Sequence, residues 1–399
     1  MSEKRQLSIQ LLAIAAIFAV PYIGAYIVYN GIFPQDYFAF PHLSAVDKYC
    51  FSMPVFVGIS LLGAAMAAFV VIPGLFGFKK VEKPVEPVVE KVSLPSWFWV
   101  GLVMWGAAIA SFVFKWSSPK LLVNWVDLPL FWGFTLMLDG WVYVRRGGHS
   151  IIGDHPRAMF GIGVSAILGW LIFEYLNNYV LESWYYPMGE LIPDDEFVIY
   201  AVLGSSGLIP PCIEIYALLR TFPALSVKYT KGPKITMPRW VEWTLLIITV
   251  ASLFLAPFFP DILFGALWFS PMALLAIVLD RCGIWNPFTP IKNGDYSYMV
   301  LLALSYLILG FCLEGWNYLS ATHITGAPNY CGEVHQVMEM THNASYWVYS
   351  IPFVDKFHIF EMPLLGFLGY LPFGVYCGVW WIFFASMLGV KTDFANRGY

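Results

Sequence analysis

Two short phrases carry residues that could do chemistry: Glu174-Tyr175-Leu176-Asn177 and Glu314-Gly315-Trp316-Asn317, each closing a long apolar run with Glu-x-x-Asn. Residues three apart share a helix face, so each phrase sets a carboxyl beside a carboxamide. A charged carboxylate deep in a bilayer costs at least about 2.5 kcal/mol unless it faces protein or water. Two such groups at matched positions therefore point to a polar pocket. In that pocket Glu314 or Glu361 would serve as acid or base, with Glu174 as the counterpart in the first phrase and His358 three residues ahead of Glu361. Asn177 and Asn317 would orient a substrate. A carboxyl shielded from water keeps its proton more firmly and can deliver it at neutral pH. The structural alternative is that both glutamates accept hydrogen bonds from Asn or Trp side chains and pin helices together.

The same end of the chain's apolar runs offers further groups. Trp184-Tyr185-Tyr186 and Trp347-Val348-Tyr349 are both Trp-x-Tyr, which puts Trp184, Tyr186, Trp347 and Tyr349 among the substrate-binding candidates. If residues 333 to 343 are helical, His335, Glu339 and His342 share a face and could hold zinc or another transition metal. Asp139 and Asp280, near Arg145, Arg146 and Arg281, read as interfacial salt bridges or helix ends, and Glu214 as a packing or pathway residue. Cys50 and Cys331 fall in outside segments and are either a disulfide or two free thiols. Asn343-Ala344-Ser345 is a glycosylation sequon, relevant only in a eukaryotic secretory setting. No Cys-x-x-Cys, GxGxxG, P-loop or GxSxG pattern occurs, and of seven histidines only His358 falls in an apolar run, which leaves haem unsupported and the cofactor open.

The elements that position these groups follow from composition. Of 399 residues, 12% are charged and 59% apolar, with a mean hydropathy of +0.67, against about 25% and 45–50% in soluble chains. The expected class is all-α, a polytopic transmembrane helical bundle of about ten spans. Apolar runs fall near 7–29, 51–77, 97–114, 128–144, 158–180, 197–219, 240–258, 262–279, 298–319 and 357–389. The last run contains Pro363, Gly366, Gly369, Pro372 and Gly374, so a break is expected. Lys and Arg concentrate in alternate connections, and only Lys48, Lys115, Lys120 and Lys356 fall in the others. The positive-inside rule then puts both termini in the cytoplasm, in what reads as a bacterial inner membrane. Net charge of -4 speaks for no nucleic-acid partner.

The landmarks also recur in order. Pro95-Ser96-Trp97 matches Pro238-Arg239-Trp240, Asp139 matches Asp280, and the interval to the following Glu is 35 residues in one case and 34 in the other. Gly204 to Pro210 matches Gly366 to Pro372. This predicts two parallel four-helix repeats, 95–221 and 238–389, behind an N-terminal helix pair (1–78) and a Pro/Glu/Lys linker (79–94), with an extra outer loop at 321–355 in the second repeat.

Trp184-Tyr185-Tyr186, Pro193-Asp194-Asp195-Glu196-Phe197 and Pro210, and in the second half Glu314 to Asn317, Trp347 to Tyr349, His358 to Pro363 and Pro372, resemble in order the landmarks of lycopene (carotenoid) cyclase membrane units. Where that family has Trp-Asp this chain has Glu-x-x-Asn, and its repeats have four spans where the cyclase unit has three. The chain also looks like bacterial polytopic membrane proteins of no assigned activity. The resemblance implies acid residues that protonate an alkene in an apolar pocket. The leading expectation is thus an enzyme acting on an isoprenoid or lipid. The alternatives are a non-catalytic subunit or anchor for other membrane or periplasmic subunits, such as an electron-transfer complex, and a transporter.

Overall fold

The computed structural model describes residues 2–35, 37–82, 89–327, 329–390 and 392, so most of the linker's Pro/Glu core, 83–88, lies outside the described residues. The chain is 62% helix and 5% strand. The longer helices are α1 (Glu3–Val28), α2 (Met53–Val71), α3 (Ser96–Val113), α4 (Asp127–Arg145), α5 (Pro156–Leu176), α6 (Asp194–Ser205), α7 (Pro210–Arg220), α8 (Arg239–Leu255), α9 (Ala266–Arg281), α10 (Ser297–Leu319) and α11 (Tyr370–Met387). Proline sets many of their starts, since its missing N–H would be unpaired there anyway. Pro95 and Pro238 are the N-caps of α3 and α8, and Pro156 and Pro210 open α5 and α7.

Among the described residues seven segments are long and apolar enough to cross a membrane: Glu3–Val28, Met53–Val71, Ser96–Val113, Pro156–Leu181, Asp194–Arg220, Ser297–Leu319 and Leu364–Met387. The remaining runs do form helices at the expected places. However, α8 and α9 have only 17 and 16 residues, and α4 carries Asp127 and Asp139. The sixth run is interrupted between Ser205 and Pro210. The last run breaks as its Gly and Pro content predicts, into strand, a 3₁₀ turn over Leu364–Gly369, and α11.

The bundle closes around α11, whose Tyr376, Cys377, Val379, Trp380 and Trp381 are each at most 1% exposed. It packs against α9 and α10 and meets α5, while α10 lies against α7 and α4 against both α3 and α7. Two contacts require glycine. A Cβ on Gly101 would stand 2.6 Å from the Gly133 carbonyl oxygen between α3 and α4, and one on Gly374 would stand 2.1 Å from that of Leu302 between α11 and α10. Small residues let membrane helices approach this closely. α1 packs on α8 and α9, whereas α2 rests on the 3₁₀ turn with none of its length buried.

Three two-stranded antiparallel ribbons cover the end of the bundle that carries the Trp-x-Tyr segments. They pair β1 (Trp184–Tyr185) with β4 (Val348–Tyr349), β2 (Ala321–Thr325) with β3 (Gln336–Thr341), and β5 (His358–Ile359) with β6 (Met362–Pro363). The segment before α2 is tied to this cap. Cys50 and Cys331 form a disulfide, Tyr330 bonds both the amide and the carbonyl of Lys48, and the buried Lys48 ammonium donates to Leu181 O at 2.7 Å and pairs with Asp261 at 3.3 Å. The bridge joins cysteines 281 residues apart. Replacing both cysteines by serine should cost about 2–4 kcal/mol, read as a lower unfolding temperature in detergent. An unchanged melt would mean that the cap's other bonds suffice.

The hairpin corrects the helical reading of residues 333 to 343. Ala-Thr-His-Ile-Thr and Gln-Val-Met-Glu-Met-Thr are rich in β-branched residues and bury Thr341 at the end of β3. Residues that a helix would align are therefore spread along a strand and its turn.

Candidate functional site

Each Glu-x-x-Asn phrase sits under one Trp-x-Tyr segment and is bonded to it in the same way. At the end of α5 the Asn177 carboxamide donates to Trp184 O at 2.9 Å and accepts from the amides of Ser183 and Trp184 at 2.7 and 3.0 Å. In α10 the Asn317 carboxamide donates to Trp347 O at 2.8 Å and accepts from its amide at 3.1 Å. The asparagines, expected to orient a substrate, here hold the backbone of the Trp-x-Tyr segments. The indole N–H of Trp184 then donates to the Tyr186 hydroxyl at 3.3 Å, and that of Trp347 to the Tyr349 hydroxyl at 3.0 Å. Tyr186 in turn donates to Glu174 Oε1, and Tyr349 to Glu314 Oε1 at 2.7 Å. The β1–β4 pairing, with Trp184 opposite Tyr349, joins the two arrangements back to back.

The two arrangements differ in the second donor to the carboxyl. Glu174 Oε1 also accepts from the Trp170 indole, four residues earlier on α5, at 2.9 Å. The corresponding position on α10 is Gly310, where a Cβ would stand 2.3 Å from the ring of Tyr370. That ring fills the space of the missing indole, and its hydroxyl donates to Glu314 Oε1. Counting back from the matched prolines, Pro210 and Pro372, the position of Tyr370 is held in the first half by Leu208. One carboxyl thus takes its bulky second donor from its own helix and the other takes it from a different one.

Between these groups lies a cavity of about 100 Å³. Trp170, Trp184, Trp268 and Trp347 supply indole faces, and Tyr186, Tyr200, Tyr349 and Tyr370 bring hydroxyl-bearing rings. Glu174 lines it, and Glu314 stands behind Tyr349 and Tyr370. Glu174 and Glu314 are 5% and 0% exposed, and the Oε2 of each has no hydrogen-bond partner. Burial, followed by the nearby glutamate, raises the hydroxyl pKa of Tyr186 and of Tyr349 well above the usual phenol range, so both stay donors across ordinary pH.

A second carboxyl on the cavity wall is one that the sequence reading passed over. Asp127, the first residue of α4, is buried and accepts from Ser345 Oγ at 2.7 Å, and that hydroxyl lies 3.0 Å from the Tyr200 hydroxyl. Its signal was a lone acid touching an apolar run, which reads as a flank. Ser345 belongs to the sequon, whose Asn343 is 4% exposed, accepts from the Ser345 amide and lies 2.9 Å from its hydroxyl. In the folded chain this sequon is packing material.

Other candidates lie apart from the cavity. Glu361 is buried in the cap, accepting from the Tyr346 hydroxyl and pairing with His323 Nε2 at 2.8 Å, and Tyr318 stacks on that histidine. Burial, with Glu361 and Asp355 adding their charges, pushes the nearby Tyr185 hydroxyl up to about 12. His358 is in β5 rather than in a helix, exposed and paired with Asp355 at 2.9 Å. His335 lies 3.7 Å from Glu333, Glu339 meets Thr322 at 3.3 Å, and His342 borders a shallow hollow beside Lys115. Among the described residues no three His, Cys, Asp or Glu side chains converge as metal ligands. Of the two readings of the aspartates, salt bridge or helix end, Asp280 fits the second at the end of α9, and among the described residues neither aspartate is ion-paired. Asp139 is wholly buried and bonded to Trp97, Ser150 and the Ile152 amide, Asp280 is exposed, and Arg281 pairs with Glu242.

Comparison of the chain with protein-family models, with curated proteins and with solved structures gives no match.

Proposed function

We propose that this chain is an integral membrane enzyme that moves a proton on an isoprenoid or other unsaturated lipid, with Glu174 as the acid. The observation that carries the reading is a buried carboxyl, one oxygen held by hydroxyl and indole donors and the other unpartnered, on the wall of a cavity made mostly of aromatic faces. Among its hydrogen-bond partners there is no cation, so the neutral acid is the form that such a dry site tolerates. In the reaction the π-electron pair of a C=C bond takes the proton from Glu174 Oε2. The resulting carbocation lies against indole faces, which attract cations through their quadrupole. Loss of a proton from an adjacent carbon to the Glu174 carboxylate left by the first step forms a new C=C bond and restores the neutral acid. The sum is an isomerisation or ring closure that consumes no oxidant or reductant. It is the chemistry that the resemblance to cyclase units implies. A volume near 100 Å³ holds about as much as three waters, so one end of a long chain enters while the rest lies among the helices or in lipid.

This reading rests on a ten-span chain built as two parallel copies, for which the matched Asn–Trp–Tyr–Glu bonds and the compensating Trp170/Gly310 and Leu208/Tyr370 exchange are the support. It also takes the cap as the face outside the cytoplasm, where a Cys50–Cys331 disulfide is stable. The test is conversion of unsaturated lipid extracts by the protein in liposomes made up in D₂O. Product carrying deuterium on carbon is expected, and unlabelled, unconverted lipid would remove the reading. A second reading, an anchor for partner subunits, is favoured by α2, none of whose residues is fully buried in this chain. A chain that runs alone after purification in mild detergent counts against it.

A further inference from the structure

A second buried acid lies away from the cavity and has no part in the reaction above. Along α4 the rise from Asp127 to Asp139 is ~18 Å. There Asp139 Oδ2 accepts from the Trp97 indole at 2.9 Å and Ser150 Oγ at 2.8 Å, and Oδ1 accepts from the Ile152 amide at 2.9 Å. Three donors around one carboxyl offset part of the cost of burying its charge. Glu214, on α7, is 0% exposed and neither of its oxygens meets a donor. The acid that faces it across the packed α4–α7 contact is Asp139. Two carboxylates are both acceptors and cannot bond to each other, whereas one proton turns Glu214 into a donor. Asp139 Oδ1, with one donor already, has a lone pair to receive it.

We propose that Asp139 and Glu214 form a one-proton binding site joining α4 to α7, with the proton carried by Glu214 and shared with Asp139. The charged groups on the surrounding elements are engaged elsewhere or lie at helix ends. Arg145 bonds Thr221 at 2.6 Å, Arg220 bonds Tyr216 at 3.0 Å and Ser297 at 3.2 Å, and His149 pairs with Asp154 at 3.1 Å. Arg146 is the C-cap of α4. A carboxyl pair this buried holds one negative charge with its proton and two without it. Losing the proton sets α4 and α7 against each other, and these helices continue toward the cavity through Asp127 and Phe131 on one side and Leu208, just ahead of α7, on the other. The pair therefore links proton occupancy at one end of the bundle to the spacing of helices that wall the cavity at the other. This site stands whether or not the cavity is catalytic.

Infrared difference spectra of the whole protein in liposomes, with H₂O exchanged for D₂O, read the carbonyl stretch of protonated carboxyls. At neutral pH Glu214→Gln should lose one such band of the wild type and keep its fold, since the Gln amide can still donate to Asp139. Asp139→Asn, which removes the anion that holds the proton, should lose or shift the same band. Retention of every band in both folded variants would overturn the proposal. So would disappearance of the wild-type band on adding sodium at constant pH, which would make the site a metal-cation site.

Discussion

Glu174→Gln should leave the protein folded and abolish conversion. The amide has the shape of the acid, its Oε1 can still accept from Trp170 and Tyr186, and it carries no proton that it can give up. General acid catalysis of this kind contributes a factor of about 10²–10⁴, so turnover should fall by about that much while the melting curve stays within a degree or two of wild type. Glu314→Gln should fall far less, because Tyr349 and Tyr370 stand between that carboxyl and the cavity. Product formation per folded protein, measured side by side for the two variants, checks the order. Equal losses would mean that both carboxyls act only by holding tyrosines, and a fully active Glu174→Gln would rule out Glu174 as the acid.

That order reverses an expectation drawn from the sequence, and the reversal has a physical cause. The two phrases are alike in local pattern, and periodicity places each Glu and Asn on one face of its own helix. Which glutamate reaches the cavity depends on a residue in another span, Tyr370, and on the absence of a side chain at Gly310. Neither effect is visible in a local window. The same distinction runs through the chain. Helix positions, the break before α11 and the paired role of the Trp-x-Tyr segments follow from short-range signals: apolar runs, Gly and Pro, repeated spacing. Asp127, Ser345 and Tyr200 come together only because the loop between β3 and β4 folds back onto α4 and α6.

The segment from β2 to β3 shows how two periodicities compete. His335, Glu339 and His342 fit a helical face, but Thr322, Ile324 and Thr325, opposite Met340, Val337 and Gln336, fit a ribbon, and β-branched side chains pack better there. The ribbon also gives the His323 side chain a buried place against Glu361 and Tyr346. His358, expected at the head of a span, is instead drawn into the short β5–β6 ribbon because the helix proper begins only at Tyr370.

The asparagines lead to the second large effect. Asn177→Ala should destabilise the protein by about 3–5 kcal/mol, since three backbone groups lose their partner at a buried site: the Ser183 and Trp184 amides and the Trp184 carbonyl. An orphaned buried polar group costs about 1–3 kcal/mol. Asn317→Ala removes partners from only the amide and carbonyl of Trp347, so its loss should be smaller, about 2–3 kcal/mol on the same footing. Asn177 also stands where α5 gives way to a π turn over Asn177–Leu181. That turn leaves fewer backbone bonds to compensate than the regular helix around Asn317, which widens the gap in the same direction. Thermal unfolding in detergent orders the variants: wild type above Asn317→Ala above Asn177→Ala. Because each asparagine positions the tryptophan whose indole holds the tyrosine on Glu174 or Glu314, the Asn177 variant should lose conversion even at temperatures where it remains folded. If both variants melt with wild type, these bonds do not hold the loops, and the tyrosines must be placed by the β1–β4 pairing instead.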